Sequence, residues 1–195
     1  RTQANIIMSI YGSLIYMSGI IGGWIADRVT GTRKAVFYGG ILIMIGHILL
    51  ALPLGATALY LSMFFIIIGT GLLKPNVSSV VGDMYAPNDA RRDSGFSIFY
   101  MGINLGGFTA PLLVGLFQQN WGFHAGFGVA AVGMFIGLVV YVMSQKSLGL
   151  AGSVAPNPLS PAEKKTTTRN FTLGGLLIVL LGFIAYKTGN ASIEN

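Results

Sequence analysis

The chain has 195 residues, of which 53% are hydrophobic and only 9% are charged. An average soluble domain carries roughly 25% charged residues, whereas the run Ser94–Gln145 has 52 residues without one. A soluble surface cannot be built from such a run, so the composition excludes a soluble enzyme, a disordered chain and a nucleic-acid-binding domain. The net charge of +6 then reflects the loops of a membrane protein. The absence of cysteine excludes disulfides, thiolate metal sites and a cysteine nucleophile.

Long apolar segments predict an all-α fold, that of a polytopic helical membrane protein. A membrane-spanning helix needs about 20 mostly apolar residues. These segments are apolar on all sides, unlike the alternating strands of a membrane barrel. The predicted spans are Ile6–Ala26, Ala35–Leu52, Ala58–Gly82, Gly95–Phe117, Phe123–Met143 and Phe171–Tyr186.

The predicted organisation has three parts. Residues 1–143 form a bundle of five membrane-spanning helices, residues 144–170 form a linker rich in Pro, Ser, Thr and Lys, and residues 171–195 form an additional, truncated span. The chain begins at Arg1 and enters an apolar stretch almost at once, without the charged start of a signal peptide. We therefore interpret the sequence as part of a longer protein.

Loop charges predict the orientation of the spans. The second and fourth loops contain no Lys or Arg, so all basic loop residues share one side if every span crosses. The positive-inside rule places that side in the cytoplasm, which predicts a multi-pass protein of the cell membrane. The basic residues of the first, third and fifth loops are Arg28, Arg33, Lys34, Arg91, Arg92, Lys146, Lys164, Lys165 and Arg169.

Glycines at four-residue spacing predict close helix packing, because small residues at this interval let helices approach each other. A hinge role is the alternative. The pairs are Gly19 and Gly23, Gly102 and Gly106, and Gly133 and Gly137.

Lys74 is the most informative single residue. It follows 16 uncharged residues and precedes Pro75. A lysine at a helix centre costs about 2.5–3.5 kcal/mol on insertion scales, so such a group normally faces a cavity or a carboxylate. The predicted spans contain no acidic residue, so a carboxylate partner would lie in a segment outside this chain. The alternative is that Lys74 lies near the cytoplasmic end of its helix and snorkels to the interface.

Other polar residues also lie deep in the predicted spans. The amide of Asn104 can donate and accept, which suits a peptide or carboxylate, although an interhelical hydrogen bond explains it equally well. Tyr16 is too deep for an interfacial aromatic belt, so its hydroxyl needs a partner or water. His47 and His124 are predicted to be interfacial, and their spacing supports no metal site.

Two sequence patterns resemble those of known transporters. The pattern Gly-x-x-x-Asp-Arg-x-x-Gly-x-Arg-Lys, Gly23–Lys34, resembles the loop between the second and third helices of the major facilitator superfamily. The segments GTGLLKPNVSSVVGDMY and RRDSGFSIFYMGINLGG are more specific and resemble the signature of the proton-dependent oligopeptide transporters. The resemblance implies a partial major facilitator fold, from the second helix to the sixth without the first, followed by the first of two helices that bacterial members insert.

The resemblance also implies roles for matching residues. Lys74 matches a lysine of the family's fourth helix that pairs with a glutamate of the first helix, which implies substrate binding and proton coupling. Asn104 matches a fifth-helix asparagine that contacts bound peptide, and Tyr16 matches a second-helix tyrosine that lines the same cavity. The residues that match the family's cytoplasmic gating loop are Asp27, Arg28, Arg33 and Lys34.

The expected function is therefore that of a fragment of a symporter that imports di- and tripeptides. Its expected partners are short peptides, protons, the lipid bilayer and the remainder of the transporter, with no nucleic acid. No metal, cofactor or catalytic residue is expected, because the proton gradient supplies the energy and no nucleophile–base pair is evident. Two alternatives remain open: the same fold carrying nitrate or another small solute, and a non-transporting membrane receptor or scaffold. A membrane enzyme is the least supported reading.

Overall fold

The computed structural model describes residues 2–189 and contains only helices, turns and loops over that range, which confirms the all-α prediction. A π-helical turn, Ala26–Thr30, joins the first two helices, and a 3₁₀ turn, Ser144–Lys146, follows the fifth. The six α-helices are α1 (Thr2–Ile25), α2 (Thr32–Ala51), α3 (Gly55–Asp83), α4 (Arg92–Trp121), α5 (Phe123–Met143) and α6 (Pro161–Gly189).

Within the described residues, five helices are long and apolar enough to cross a membrane, and they coincide with the first five predicted spans. The chain divides into two compact units, one ending at Asn157 and the other beginning at Pro158. In the first unit, α2 packs along both α3 and α5, while α1 packs on α3 and α4 packs on α5. The membrane-spanning helices therefore form one bundle with α2 and α3 at its centre.

Glycines set the distance between the central helices. At the crossing of α2 and α3, a Cβ added to Gly39 would lie 2.7 Å from the carbonyl oxygen of Gly69, and a Cβ added to Gly69 would lie 2.7 Å from that of Gly39. Where α1 crosses α3, a Cβ added to Gly71 would lie 2.6 Å from the carbonyl oxygen of Ser18. These backbones are in contact, so no larger residue fits at either crossing.

The glycine pairs singled out by their spacing do not make these contacts, so that prediction is wrong for the described part of the chain. A Cβ added at any of them would meet no heavy atom within 4 Å. Spacing along a helix shows only that two glycines share a face, and it does not show whether that face meets a neighbour. The six glycines are Gly19, Gly23, Gly102, Gly106, Gly133 and Gly137.

Contacts at the two ends of the bundle show that α2 and α5 run antiparallel, as alternate crossing of the spans requires. At one end, the ring Nδ1 of His124, at the start of α5, lies 2.9 Å from the carbonyl oxygen of Leu50, near the end of α2. At the other end, the Tyr141 hydroxyl of α5 donates to the carbonyl oxygen of Arg33 at the start of α2, over 3.0 Å. We call this second end, where Arg33 lies, the basic end.

The first part of the predicted linker is folded onto the basic end. The N–H of Arg33 donates to the carbonyl oxygen of Gly152 over 2.9 Å, and the N–H of Asn157 donates to that of Asp27 over 3.0 Å. Gly31 and Gly152 approach closely with φ of 79° and 62°, a conformation that favours glycine. Positive φ at Gly31 permits the tight turn between the π-helical turn and α2.

In the second unit, α6 begins ten residues before the predicted start of the last span, Phe171. The Ser160 N–H donates to Glu163 Oε2 over 2.8 Å, and the Glu163 N–H donates to Ser160 Oγ over 3.3 Å. This capping box starts α6 within a charged segment. The helix therefore begins before the apolar residues from which the span was predicted. Residues 190–195 of the predicted additional span, residues 171–195, lie outside the described residues. That this segment crosses the membrane stays a prediction.

The α2–α3 contact can be tested with two Gly→Ala changes. We expect Gly39→Ala to lower the free energy of unfolding by about 1–3 kcal/mol, because the added methyl group overlaps a backbone carbonyl. The matched change Gly133→Ala should be neutral or stabilising by up to about 1 kcal/mol, because alanine is the better helix former. Thermal unfolding in detergent measures both, and equal melting temperatures would contradict the assigned crossing.

Candidate functional site

The structure brings two of the predicted site residues together. The Lys74 Nζ of α3 lies 4.9 Å from the ring centroid of Tyr16 in α1, which is a cation–π contact. Both side chains are exposed on the bundle, and Tyr16 is 75% exposed. Within the described residues, no carboxylate forms an ion pair with Lys74. The ammonium group is therefore held by a ring and remains open to an anionic partner.

Pro75 and Asn76 explain why Lys74 has this position. Pro75 has no N–H to donate to the carbonyl oxygen of Gly71, and a Cβ added to Gly22 in α1 would overlap that oxygen. The Asn76 side chain is 2% exposed, and its Nδ2 donates to the carbonyl oxygens of Leu72, over 2.7 Å, and Gly22, over 3.3 Å. These contacts attach α3 to α1 beside the lysine.

Asn76 is a residue that the sequence analysis missed. Two positions along a helix rotate a side chain by roughly 200°, so Asn76 points away from the face that carries Lys74. An amide in an apolar span, directly after a proline that leaves a carbonyl without its donor, is the signal that could have found it.

Asn104 lies apart from this pair. Its Nδ2 donates to the carbonyl oxygen of Tyr100 in its own helix over 2.8 Å, and its side chain is exposed. The described contacts include none between Asn104 and either Tyr16 or Lys74. Among the described residues, Asn104 therefore has no interhelical hydrogen bond. Its exposed side chain remains accessible to a ligand.

A row of side chains on α4 leads from Asn104 toward the basic end. Arg92, Phe96, Tyr100 and Asn104 follow one another at four-residue intervals, so they share a face of the helix. The rings of Phe96 and Tyr100 stack with centroids 6.3 Å apart, and the Arg92 guanidinium lies 5.9 Å from the Phe96 centroid. Counting back in fours from Asn104 would have found these residues in the sequence.

An open cavity of about 690 Å³ lies between α3 and α4, on the basic-end side of Lys74 and Asn104. Ser78, one turn beyond Lys74, and Tyr100, one turn before Asn104, both line it. The cavity therefore adjoins both Lys74 and Asn104. Its lining includes an acidic and a basic side chain beside aromatic rings. The lining residues are Ser78, Ser79, Gly82, Asp83, Tyr85, Pro87, Arg92, Phe96 and Tyr100.

The predicted gating residues share the junction between α1 and α2. Asp27 and Arg28 lie in the π-helical turn, and Arg33 and Lys34 lie in the first turn of α2. The Arg33 Nη2 donates to the carbonyl oxygen of Gly149 over 2.9 Å, so its guanidinium binds the segment after α5. Single π-helical turns are frequent at functional sites. The sequence analysis missed residues 147–157 as a part of this junction.

The two histidines each contact a backbone carbonyl oxygen. His47 Nδ1 lies 2.8 Å from the Ile43 carbonyl oxygen in its own helix, and His124 contacts the end of α2. The described residues contain no group of three or more His, Cys, Asp or Glu that could hold a metal ion.

A local ion pair orders the loop between α3 and α4. Asp89 accepts hydrogen bonds from the Arg91 side chain, with Nε 3.1 Å from Oδ1 and Nη2 2.8 Å from Oδ2, and from the Arg91 N–H over 2.9 Å. The side-chain hydrogen bonds of Arg91 lower the pKa of Asp89 from 3.8 to about 2.

The depressed pKa of Asp89 makes the stability of the folded chain depend on pH in the acid range, and titration can measure it. Because the folded pKa is depressed, the contribution of Asp89 to stability is complete above pH 3.8 and is lost as the pH falls toward about 2. Carboxyl ¹³C NMR should give a midpoint near 2. Arg91→Ala should raise the midpoint only part of the way to 3.8, because the backbone N–H still donates. A midpoint unchanged by Arg91→Ala would contradict the assignment.

The two asparagines should behave oppositely on substitution. We expect Asn76→Leu to lower the free energy of unfolding by about 1–3 kcal/mol, because the change removes a buried hydrogen bond to the carbonyl oxygen of Gly22 across the α1–α3 contact. Asn104→Leu should change stability by no more than about 0.5 kcal/mol, because its amide is exposed and bonds only its own helix. Chemical denaturation in detergent compares them, and equal destabilisation would contradict the assigned positions.

Comparisons with known proteins agree on one family. The family model PTR2, described as the POT family, matches residues 33–183. The chain is 59% identical over 195 residues to the "Uncharacterized transporter YclF" of Bacillus subtilis (strain 168), covering 100% of this chain and 39% of that protein. It is 56% identical over 173 residues to the "Di-/tripeptide transporter" of Lactobacillus helveticus, covering 84% and 34%. A crystal structure of "peptide transporter POT in complex with sulfate" superimposes with a TM-score of 0.90 at 64% identity, covering 94% of this chain and 37% of that one.

Proposed function

Because this chain belongs to the POT family, we propose that it is part of a proton-coupled symporter that imports di- and tripeptides across the cell membrane. The fold is a partial major facilitator superfamily fold. The chain spans 34% to 39% of the length of the curated relatives described above. The remaining segments of such a transporter would complete the transport pathway.

The observation that carries the proposal is the position of Lys74. It is a cation among apolar helices, in contact with Tyr16 and not paired with any described carboxylate. An ammonium group at membrane depth is costly unless it meets an anion or water. A peptide carboxylate or a carboxylate from another segment of the transporter would satisfy it.

The surrounding groups suit the rest of a short peptide. A peptide carries an amino group, a carboxylate and amide groups that donate and accept hydrogen bonds. Tyr16 and Asn104 supply a hydroxyl and an amide, and the adjoining cavity adds the opposite charges of Asp83 and Arg92. The similarity to a protein named as a di-/tripeptide transporter supports this class of substrate.

Proton coupling follows from competition for Lys74. If a carboxylate pairs with Lys74 in the absence of substrate, protonation of that carboxylate releases the ammonium group, which can then bind the peptide carboxylate. Peptide binding and proton binding then favour each other, which is a coupling free energy between two sites. The proton gradient supplies the energy, so the mechanism uses no cofactor and no catalytic residue.

Alternating access requires the ends of the bundle to open in turn around the site. The positive-inside rule places the basic end in the cytoplasm. At this end we assign Asp27, Arg28, Arg33 and Lys34 to the gate, because they lie in or directly after the π-helical turn, and Arg33 bonds the segment after α5.

Transport assays on the full-length protein in proteoliposomes test the role of Lys74. With Lys74→Ala, we expect peptide accumulation driven by a proton gradient to fall about tenfold or more, the change expected when a charged hydrogen bond of about 1.5–3 kcal/mol is lost. Peptide exchange without a gradient should also fall, through loss of the contact with the peptide carboxylate, but it should fall less than accumulation because exchange needs no net proton movement. Lys165→Ala, at the exposed start of α6, is the matched control.

Undiminished accumulation in Lys74→Ala would overturn the coupling role. Competition with unlabelled solutes tests the cargo separately, because a dipeptide should inhibit uptake of labelled dipeptide while nitrate should not. Inhibition by nitrate at comparable concentration would point to a different substrate class.

A further inference from the structure

Two adjoining pockets lie between α2 and α5, away from the residues assigned to the peptide site. The first, a basic pocket of about 260 Å³ at the basic end, is lined by Arg33, Lys34, Phe37, Tyr38, Gln145 and Ser153. The second, a groove of about 320 Å³, is lined only by apolar side chains and shares Phe37 with the basic pocket. A polar and an apolar compartment are therefore joined at one phenylalanine.

The groove follows the helix axes away from the basic end. Phe37, Ile41 and Met44 lie on one face of α2, and Phe135 and Val139 face them from α5. From Phe37 to Met44 the helix rises by roughly 10 Å, which is a length that several methylene groups of an acyl chain can occupy. The Phe135 side chain is 55% exposed, so the groove opens to the outside of the bundle.

The basic pocket has cationic groups without anionic partners. Lys34 is exposed and has no ion pair among the described residues. The Arg33 Nε is buried and has no hydrogen-bond partner in the described part of the chain, although the Nη2 of the same side chain is bonded. Gln145 and Ser153 add neutral polar groups on the opposite wall. The pocket therefore suits a phosphate better than a cation or a neutral group.

We propose that these two pockets form one binding site for an anionic phospholipid. The phosphate group binds beside Arg33 and Lys34, and an acyl chain lies in the groove that begins at Phe37. Basic pockets between membrane helices at the interface are a known means of binding anionic headgroups. Because the apolar groove is continuous with the basic pocket, the site suits a lipid better than a free phosphate. This inference does not depend on the transported substrate.

Occupancy of the site would connect three parts of the first unit. Its walls come from α2, from α5 and, through Ser153, from the segment folded onto the basic end. Because Arg33 also holds this segment through Gly149, a bound headgroup would stabilise the junction that we assign to the gate.

Lipid titration of the delipidated full-length protein tests the site. Native mass spectrometry would compare dioleoyl phosphatidylglycerol with dioleoyl phosphatidylcholine, which differ in charge but not in acyl chains. We expect the wild-type protein to prefer the anionic lipid about fivefold, the contribution of about one basic residue at an anionic surface. Lys34→Gln should lower this preference, with Arg33 left as the cation of the pocket, and Lys34→Arg should retain it. Val139→Trp should weaken binding of both lipids because it fills the groove.

Two controls make the assignment falsifiable. Lys146→Gln removes the same charge from an exposed position at the same end without touching either pocket, so it should leave the preference intact. Glycerol phosphate, which has no acyl chain, should not compete with the lipid. Equal binding of the two lipids, an equal effect of Lys146→Gln, or full competition by glycerol phosphate would overturn the proposal.

Discussion

The carbonyl oxygen of Gly71 has no N–H donor at Pro75, and it lies where a side chain of Gly22 would be. This approach of two backbones depends on glycine in both helices and on the amide of Asn76, which donates across the same crossing. The Asn76 amide thereby finds acceptors in a region where no water replaces a missing partner. Because α1 is held this close to α3, the ring of its Tyr16 reaches the ammonium group of Lys74.

The same crossing distinguishes a buried polar residue from the exposed ones. Asn76 is buried and its Nδ2 donates to two backbone carbonyl oxygens, whereas Lys74 and Asn104 are exposed. In a bilayer an exposed cation is tolerated only where water, an anion or another segment of protein meets it. The exposed polar groups therefore mark the side of the bundle at which a substrate or the rest of the transporter is expected.

The basic end is more structured than its composition indicates. A segment rich in Gly, Ser and Pro follows α5, yet it returns to the α1–α2 junction and hydrogen-bonds Arg33 through Gly149 and Gly152. Positive φ at Gly31 and Gly152 permits this contact between two loops. The gate that we propose and the lipid site that we infer share Arg33, so both proposals meet at this junction.

The sequence by itself determined the class of the molecule and the first five spans, and it predicted their alternate crossing and a functional role for Lys74. These features depend on the free energy of charge and apolar surface in a bilayer, which can be read from composition along the chain. The family resemblance added Asn104 and Tyr16 as candidates, and their roles remain proposals. Only the tertiary structure decided which glycines touch, that Asn76 closes the α1–α3 crossing, and that Lys74 meets Tyr16. Helical spacing defines the faces of each helix, but which face meets a neighbour depends on the packing of all the helices together.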